Sequence, residues 1–427
     1  MIAERPGQRV TYLSWNNEGT SLAVGLTHGF AIYSTELLLN EDGCLREVIQ
    51  RPVLGGVGIL ALHGQSNLAI LVGWEASRRD TVTILDLSVD NTMNDDPSVL
   101  ARVKLSAVVT AVRFHPCMVL VGVETGLTYV FDHTLHMIES FEVSKPALSS
   151  RPRGETLALG TVLVEKSACG IFYSQLYGVI LGPRTGTVRC VCYASERHVQ
   201  SSLLQDPFPD LGKKLTPQLT VNVVELHRNE VSCITITPDG MRALTVSERG
   251  TSLKLLDVEN HTVLCQFSRG TTPNVVHALG LLVSSTDTIA ACISGSGTFH
   301  LFHLHTYNSS DTRAAGAGNA DRGVGSYGFM RAWSDYRNSV CPRARLLIPE
   351  DELYNSLCRQ DDSGKSIYSM VLRPVAQKDS CVAFVVQRCM LPQGVTRRAR
   401  LLSVQADFSA VEPMKIMRSF YFPKDEL

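Results

Sequence analysis

Short alternating hydrophobic runs dominate the chain. Runs rich in Val, Ile, Leu, Thr and Phe recur along the sequence and are separated by clusters of Gly, Asp, Asn and Ser. Apolar and polar positions alternate with a period of two in these runs, whereas the 3.6-residue period of an amphipathic helix is nearly absent. The pattern therefore predicts an all-β protein built from many short strands.

One repeat unit can be read directly near the middle of the chain. The turn triplets 238–240 and 248–250 both end in glycine, which suits the positive φ angles of tight hairpins. They separate strand-forming runs at Val231–Thr237, Arg242–Ser247, Ser252–Asp257 and His261–Phe267. The same order of strands and turns returns at Val109–Val143 and Tyr12–Tyr33. Four successive strands are what one blade of a β-propeller contains.

The spacing of the repeats indicates the number of blades. Gly250 and Gly297 lie 47 residues apart, close to the ~40–45 residues typical of one blade. We predict an all-β, seven-bladed, WD40-like propeller in which residues 1–427 form a single domain. The seven units are expected at residues 8–50, 55–105, 107–148, 155–226, 229–268, 272–348 and 366–422. Closure of the ring between the first and last units would leave no exposed sheet edge.

Two segments interrupt this pattern. Residues Glu196–Lys214 are polar around Pro207-Phe208-Pro209, which cannot lie in a central strand, so we expect a loop within the fourth blade. Residues 306–342 begin Gly- and Ala-rich and then supply several aromatic side chains. A loop of this length in a compact domain is usually functional or disordered, and we expect a flexible insertion in the sixth blade.

Composition limits the function and the compartment. The formal net charge of −1 makes attraction of the whole protein to nucleic acid or anionic lipid unfavourable, so an anion site has to be local. The 12 cysteines lack a framework spacing and fit reduced thiols in a cytosolic core. The start of the chain has no apolar signal region, and no run approaches the ~18 apolar residues of a membrane span. The final Lys424-Asp425-Glu426-Leu427 is therefore interpreted as a coincidental likeness to an ER-retrieval signal.

The sequence offers no recognisable catalytic or metal-binding constellation. Cys190 and Cys192 would share one face of a strand, which favours a buried packing pair over half of a zinc site. His303 and His305 share a face, whereas His300 takes the opposite one. The glycines of Gly316–Gly328 lack the Lys-Ser/Thr ending of a phosphate loop. We expect no enzymatic activity, no catalytic residue, no metal and no cofactor.

The end of the fifth unit carries the clearest resemblance to a known family. Phe267-Ser268-Arg269-Gly270 resembles the Phe/Leu-Arg-Arg-Gly signature of the PROPPIN family, propellers in which the signature lies between two blades that each bind a phosphoinositide headgroup. Leu13–Asn16, Asn67–Gly73 and Ser247–Thr251 are also similar to the family's blades. The resemblance therefore covers most of the chain and implies two headgroup pockets.

The resemblance also implies which residues line each pocket. For the sixth blade they are Arg269, Ser294, Thr298 and His300, with Ser296 where a lysine is usual. For the fifth blade they are His227, Ser247, Arg249 and Thr251, with Ser268 where the first signature arginine is expected. Because a guanidinium is the strongest phosphate donor, its loss predicts roughly tenfold or more lower affinity in the fifth-blade pocket. The alternative is that the hydroxyls satisfy hairpin backbone groups and that Arg269 pairs with a surface carboxylate.

The insertion in the sixth blade occupies the membrane-inserting position of the family. By the resemblance, the side chains that enter the lipid interface are Tyr327, Phe329, Met330 and Trp333. Aromatic rings and methionine suit the boundary between headgroups and acyl chains. Arg322, Arg331 and Arg337 would each favour anionic lipid by about 1 kcal/mol near the surface. The alternative is that the aromatic side chains fold back against the propeller.

The resemblance implies a cytoplasmic protein that binds phosphoinositide-containing membranes peripherally. The expected lipids are phosphatidylinositol 3-phosphate and the 3,5-bisphosphate, on autophagic, endosomal or vacuolar membranes, and the expected partners are autophagy or lipid-transfer proteins. In the family the partner surface lies around the second and third blades, where Leu62-His63-Gly64-Gln65 departs from the usual pattern. The alternative is a WD-repeat scaffold that binds proteins without binding lipid.

Overall fold

The computed structural model describes residues 9–16, 18–39, 45–64, 66–89, 98–115, 118–132, 134–144, 157–166, 171–196, 218–284, 287–305, 340, 342–348, 365–375, 380–390, 396–408 and 413–422. These ranges contain 28 β-strands and two short 3-10 helices, Glu36–Leu39 and Ala76–Arg78. They contain no α-helix. Within them, no helix has the length and apolar character needed to cross a membrane.

The first four blades each hold four strands in chain order. Blade one contains β1 (Val10–Trp15), β2 (Ser21–Leu26), β3 (Gly29–Ser34) and β4 (Arg46–Pro52). Blade two contains β5 (Val57–Leu62), β6 (Leu68–Gly73), β7 (Thr81–Asp86) and β8 (Val99–Lys104). Blade three contains β9 (Val109–His115), β10 (Met118–Val123), β11 (Leu127–Phe131) and β12 (Met137–Glu142). Blade four contains β13 (Leu157–Lys166), β14 (Ile171–Leu181), β15 (Thr187–Glu196) and β16 (Gln218–Glu225).

The last three blades repeat this arrangement. Blade five contains β17 (Val231–Ile236), β18 (Arg242–Ser247), β19 (Ser252–Asp257) and β20 (Thr262–Ser268). Blade six contains β21 (Val276–Val283), β22 (Asp287–Ser294), β23 (Thr298–His305) and β24 (Ala344–Leu347). Blade seven contains β25 (Lys365–Pro374), β26 (Ser380–Met390), β27 (Thr396–Asp407) and β28 (Met414–Phe422). All neighbouring strands within a blade pair antiparallel.

The hairpin turns follow from the residues at each turn. In blade five, Asp239 Oδ1 accepts a hydrogen bond from the Met241 amide at 2.9 Å, which closes the turn between β17 and β18. Gly250 has a φ of +62°, and a Cβ atom there would collide with the Asn274 carbonyl oxygen. Only glycine fits this close approach, so the turn after β18 is specified locally.

The blades form a closed ring around a central channel. The first strand of every blade contacts the first strand of the next, and β25 contacts β1. Val10 of β1 also pairs with Thr396 of β27, which joins the first and last blades. The first strands are largely buried, whereas outer strands such as β4 and β8 alternate between exposed and half-buried positions. Hydrophobic layers fill the spaces between adjacent blades.

The structure confirms the predicted all-β, seven-bladed propeller. Three expected strand boundaries in blade five are wrong by one residue: β17 ends at Ile236 instead of Thr237, and β20 spans Thr262–Ser268 instead of His261–Phe267. His261 has a φ of +57° and belongs to the turn before β20. Most of the fourth-blade loop, Lys424–Leu427, and the residues Tyr327, Phe329, Met330 and Trp333 lie outside the described ranges. The expectation of one domain over residues 1–427, with a flexible insertion at 306–342, stays a prediction.

Candidate functional site

A cavity of about 460 Å³ lies where blade five passes into blade six. Its walls come from the end of β20, the turn that follows it, and strands β22, β23 and β24. The lining residues are Arg269, Gly270, Thr271, Thr272, Ser294, Ser296, Thr298, His300 and Arg345. All four residues assigned from the sequence to the sixth-blade pocket therefore line one cavity.

Arg269 is held in place by backbone carbonyls. Only 7% of the residue is exposed. Its Nε donates to the Gly250 carbonyl, and Nη2 donates to the Thr272 carbonyl at 2.5 Å. Its backbone amide donates to Thr251 at 2.9 Å. Burial lowers the pKa of the guanidinium, which nevertheless stays charged at neutral pH.

No described carboxylate pairs with Arg269, so the pairing considered from the sequence is not found in that part of the chain.

Gly270, the residue after Arg269, has a backbone conformation that favours glycine. Gly270 has a φ of +154°, and a Cβ atom there would meet nothing within 4 Å. Backbone conformation rather than space therefore requires glycine here.

Three hydroxyls form a ladder along one wall of the cavity. Ser294 and Ser296 Oγ atoms lie 2.9 Å apart, and Ser296 Oγ lies 3.3 Å from Thr298 Oγ1. Ser296 also accepts a hydrogen bond from the Asn274 side-chain amide at 3.1 Å. Hydroxyl hydrogens rotate to suit their neighbours, so this ladder can present donors to an anion. Only Ser294 donates to a described backbone carbonyl, that of Thr298, at 3.3 Å.

His300 is the most buried ionisable side chain of the cavity. It is 4% exposed, and its Nδ1 has no hydrogen-bond partner within the described ranges. Burial lowers its pKa to about 4, and the positive charges of Arg269 and Arg345 act in the same direction. The ring is therefore neutral at pH 7, and its buried Nδ1 is a polar atom whose hydrogen bonding is not satisfied within the described ranges.

The fifth-blade residues are arranged differently. His227 is buried, its Nε2 lies 2.9 Å from Thr245 Oγ1, and burial together with Lys254 lowers its pKa to about 3. Ser247 and Ser268 are buried, whereas Arg249 is exposed and Thr251 is half-buried. All five are described, and no hydrogen bond joins any two of their side chains. The sequence assigned these residues to one pocket, which stays a prediction.

The outer edge of β20 is hydrogen-bonded at Ser268, its last residue. The Ser268 amide donates to the Val340 carbonyl at 2.8 Å, and the Val340 amide donates to the Gln266 carbonyl at 2.8 Å. Phe267 and Val340 form a parallel bridge between these two hydrogen bonds. Val340 therefore covers the outer edge of β20 at the residue that precedes Arg269.

Arg345 is the charged lining residue that the sequence reasoning missed, and Thr271 and Thr272 were not assigned to the pocket either. It lies on β24, directly opposite His300 of β23, and it is exposed. The sequence did carry one signal for it, because arginines at alternate positions, Arg343 and Arg345, mark the start of the last strand of blade six. The pairing register could not be read, because 38 residues separate β23 from β24.

The cavity lining combines cationic and hydroxyl side chains. It has two arginines, one neutral histidine and hydroxyls, but no Asp, Glu, Cys or Lys. In the described part of the chain, no three His, Cys, Asp or Glu side chains are placed to hold a metal ion. The arrangement suits binding of a phosphate-bearing anion, since guanidinium and hydroxyl donors are the groups that bind phosphate in proteins.

Comparisons with known proteins support the propeller fold. No family model matches the chain. The chain is 22% identical over 313 residues to Autophagy-related protein 18 of Phaeosphaeria nodorum. The aligned region covers 72% of this chain and 66% of that relative's length. The solved structure of Kluyveromyces lactis Hsv2 has a TM-score of 0.56 at 13% identity and covers 97% of this chain and 99% of that one.

A third similar structure includes a bound protein. The complex of KlAtg21 with the coiled-coil of AgAtg16 has a TM-score of 0.53 at 14% identity, with coverage of 97% of this chain and 99% of that chain. At such low identity these two solved structures support the fold alone. The bound coiled-coil belongs to that complex and is not evidence for a partner of this chain.

Proposed function

We propose that the chain, which is similar to Autophagy-related protein 18 over about 70% of its length, is a divergent member of the PROPPIN family of β-propellers and binds phosphoinositide headgroups as a peripheral membrane protein. The proposed ligands are phosphatidylinositol 3-phosphate and the 3,5-bisphosphate. The proposed membranes are autophagic, endosomal or vacuolar, approached from the cytoplasm. There the protein would recruit autophagy or lipid-transfer proteins and act without enzymatic chemistry.

The buried Arg269 carries this proposal. Removing a guanidinium from water is costly unless a counter-charge or full hydrogen bonding replaces the water. Two carbonyls supply part of that replacement, yet the cavity that Arg269 lines has a second arginine and no acid. A phosphate monoester would supply the missing negative charge and accept from the guanidinium, the hydroxyl ladder and the neutral His300.

The surroundings of the cavity support a membrane ligand over a soluble one. Leu347 ends β24 opposite Thr298 and is 65% exposed. An apolar side chain beside a headgroup pocket suits the boundary between headgroups and acyl chains. The four proposed inserting side chains, Tyr327, Phe329, Met330 and Trp333, belong to the segment that connects β23 with β24. Joint engagement of pocket and segment would give avidity that neither has alone.

Liposome flotation tests this function. Vesicles would carry phosphatidylinositol 3-phosphate, the 3,5-bisphosphate or no phosphoinositide, and the proteins would be the wild type, Arg269→Ala and Ser268→Arg. We expect phosphoinositide-dependent flotation that Arg269→Ala abolishes and Ser268→Arg strengthens. Arg78→Ala is the matched control, because Arg78 also donates to a backbone carbonyl, that of Leu54, but lies in blade two.

Thermal melts of every variant would separate lost binding from lost folding. A correctly folded wild-type protein that floats equally with all three vesicles, or with none, would refute the lipid-binding proposal. That result would leave the protein-only WD-repeat scaffold as the function of the propeller.

A further inference from the structure

We propose that Arg345 is a second phosphate-binding cation of the sixth-blade cavity and makes this cavity select a headgroup with two phosphomonoesters over a headgroup with one. This inference rests on the proposed lipid-binding function and assigns a specificity to the same site. The shared chemistry is an inositol ring that carries two phosphomonoesters, whether it belongs to a lipid or is free in solution.

The position of Arg345 is fixed by strand pairing. β24 runs antiparallel to β23, and His300 pairs with Arg345, while Thr298 pairs with Leu347. The residue therefore stands opposite the buried histidine, and it lines the same cavity as Arg269. The two arginines approach that cavity from different chain segments, Arg269 from the end of β20 and Arg345 from β24. One ligand can thus meet two guanidinium groups.

Charge in the cavity favours a ligand with high negative charge. The nine lining residues include two arginines and no acidic side chain. The positive charge of Arg345 contributes to lowering the pKa of both Arg269 and His300, so its field reaches both residues. Two like charges in one cavity repel each other in the absence of a ligand. Each phosphomonoester adds about −1.5 to −2 charges at pH 7, so a second phosphate offsets the second arginine.

The two arginines differ in a way that suits separate roles. Arg269 is buried and fixed by two carbonyls, so it can hold one phosphate in a single position. Arg345 is exposed and makes no hydrogen bond within the described part of the chain, so its guanidinium is free to move to another phosphate on the same ring. A planar guanidinium binds one phosphate in a bidentate manner. Two phosphates therefore match two arginines.

Arg343 provides a matched comparison on the same segment. It is also exposed, but its Nη2 approaches the Phe408 carbonyl of blade seven at 3.5 Å, and it does not line the cavity. Substituting either arginine removes one positive charge close to β24. Only Arg345→Ala removes it from the cavity.

The experiment measures vesicle binding of the wild type, Arg345→Ala, Arg343→Ala and Arg269→Ala. Vesicles would contain phosphatidylinositol 3-phosphate or the 3,5-bisphosphate, with phosphatidylserine adjusted so that total surface charge is equal. We expect Arg345→Ala to weaken binding to the bisphosphate by about tenfold, as loss of one charge-assisted phosphate contact implies. Binding to the monophosphate should change by less than about threefold, and Arg343→Ala should leave both affinities near those of the wild type.

Soluble headgroups separate direct recognition from surface attraction. Calorimetric titration with the deacylated lipids, glycerophosphoinositol 3-phosphate and glycerophosphoinositol 3,5-bisphosphate, in which the 1-phosphate remains a diester, should show the same selective loss in Arg345→Ala. Equal losses for both ligands, or a loss shared by Arg343→Ala, would overturn the proposal while leaving Arg269-dependent lipid binding intact. Wild-type protein that ignores every phosphoinositide would instead refute the underlying function.

Discussion

Arg242 and Asp257 form an ion pair between neighbouring strands of blade five, with 2.9 Å between Arg242 Nη1 and Asp257 Oδ2. Asp257 is the last residue of β19, and its carboxylate also accepts a hydrogen bond from the Asn260 amide at 3.0 Å. The aspartate is almost fully buried, whereas the arginine is partly exposed. One side chain thus joins two strands and closes the turn that leads to β20.

Asp257→Ala should therefore destabilise the propeller. The substitution leaves a partly buried guanidinium without its partner and an amide without its acceptor, which together cost about 2–4 kcal/mol. Urea denaturation at pH 7 measures the change in the free energy of unfolding. Glu259→Ala is the control, because Glu259 is exposed two residues further along. Equal stability of the two variants would contradict this account of Asp257.

Arg269→Lys should fail to replace Arg269 in lipid binding. A lysine keeps the charge, but its single ammonium cannot reach the Gly250 and Thr272 carbonyls and also present a planar pair of donors to phosphate. We expect phosphoinositide binding at least about tenfold weaker than that of the wild type. Surface plasmon resonance on phosphoinositide vesicles measures it. Full binding by the lysine variant would mean that charge alone, without guanidinium geometry, accounts for the site.

His227 should make stability depend on pH. Its pKa in the folded protein is lowered to about 3, so between that pH and its ordinary value near 6.5 the unfolded chain binds a proton that the folded chain does not. Stability from this residue is therefore complete above pH 6.5 and is lost as the pH falls. At pH 5 the loss is about 2 kcal/mol.

The measurement compares unfolding free energies of the wild type and His227→Gln at pH 7 and at pH 5. The wild type should lose more stability than the variant between these two values. Because both proteins retain the other histidines, their difference isolates residue 227. An identical pH dependence in the two proteins would show that His227 is not buried in the neutral form.

Val340→Pro should release the outer edge of β20. Proline has no amide hydrogen, so the bond from Val340 to the Gln266 carbonyl is lost. The Ser268 amide, which donates to the Val340 carbonyl, should then exchange its hydrogen faster by at least about tenfold. Hydrogen–deuterium exchange with mass spectrometry measures this on peptides that contain residue 268. Val340→Ala, which keeps the amide, should exchange like the wild type.

The sequence was informative wherever structure is specified locally. The glycine turns and alternating runs of blade five predicted β17 to β19 nearly to the residue, because hairpin turns and strand alternation depend on neighbours in the chain. The third strand of a blade is also followed by local side-chain bonding, since Asp257 accepts a hydrogen bond from the Asn260 amide and Asp132 accepts one from the Thr134 amide.

The parts that the sequence did not reveal depend on distant segments. Arg345 reaches the cavity through a register that follows a long insertion, and Val340 reaches blade five through a parallel bridge. Neither pairing leaves a local periodic pattern. The left-handed conformation of His261 was also missed, because a non-glycine residue with positive φ has no clear sequence signal.

The bridge between Phe267 and Val340 also forms a mechanical linkage. Tension applied to the segment between His305 and Val340 passes into the propeller through backbone hydrogen bonds that lie on either side of this bridge. The last residue of β20, Ser268, is joined by one peptide bond to Arg269. A partner or lipid that pulls on this segment would therefore strain the strand next to the buried arginine, and force on the segment would become a variable that acts on the proposed anion site.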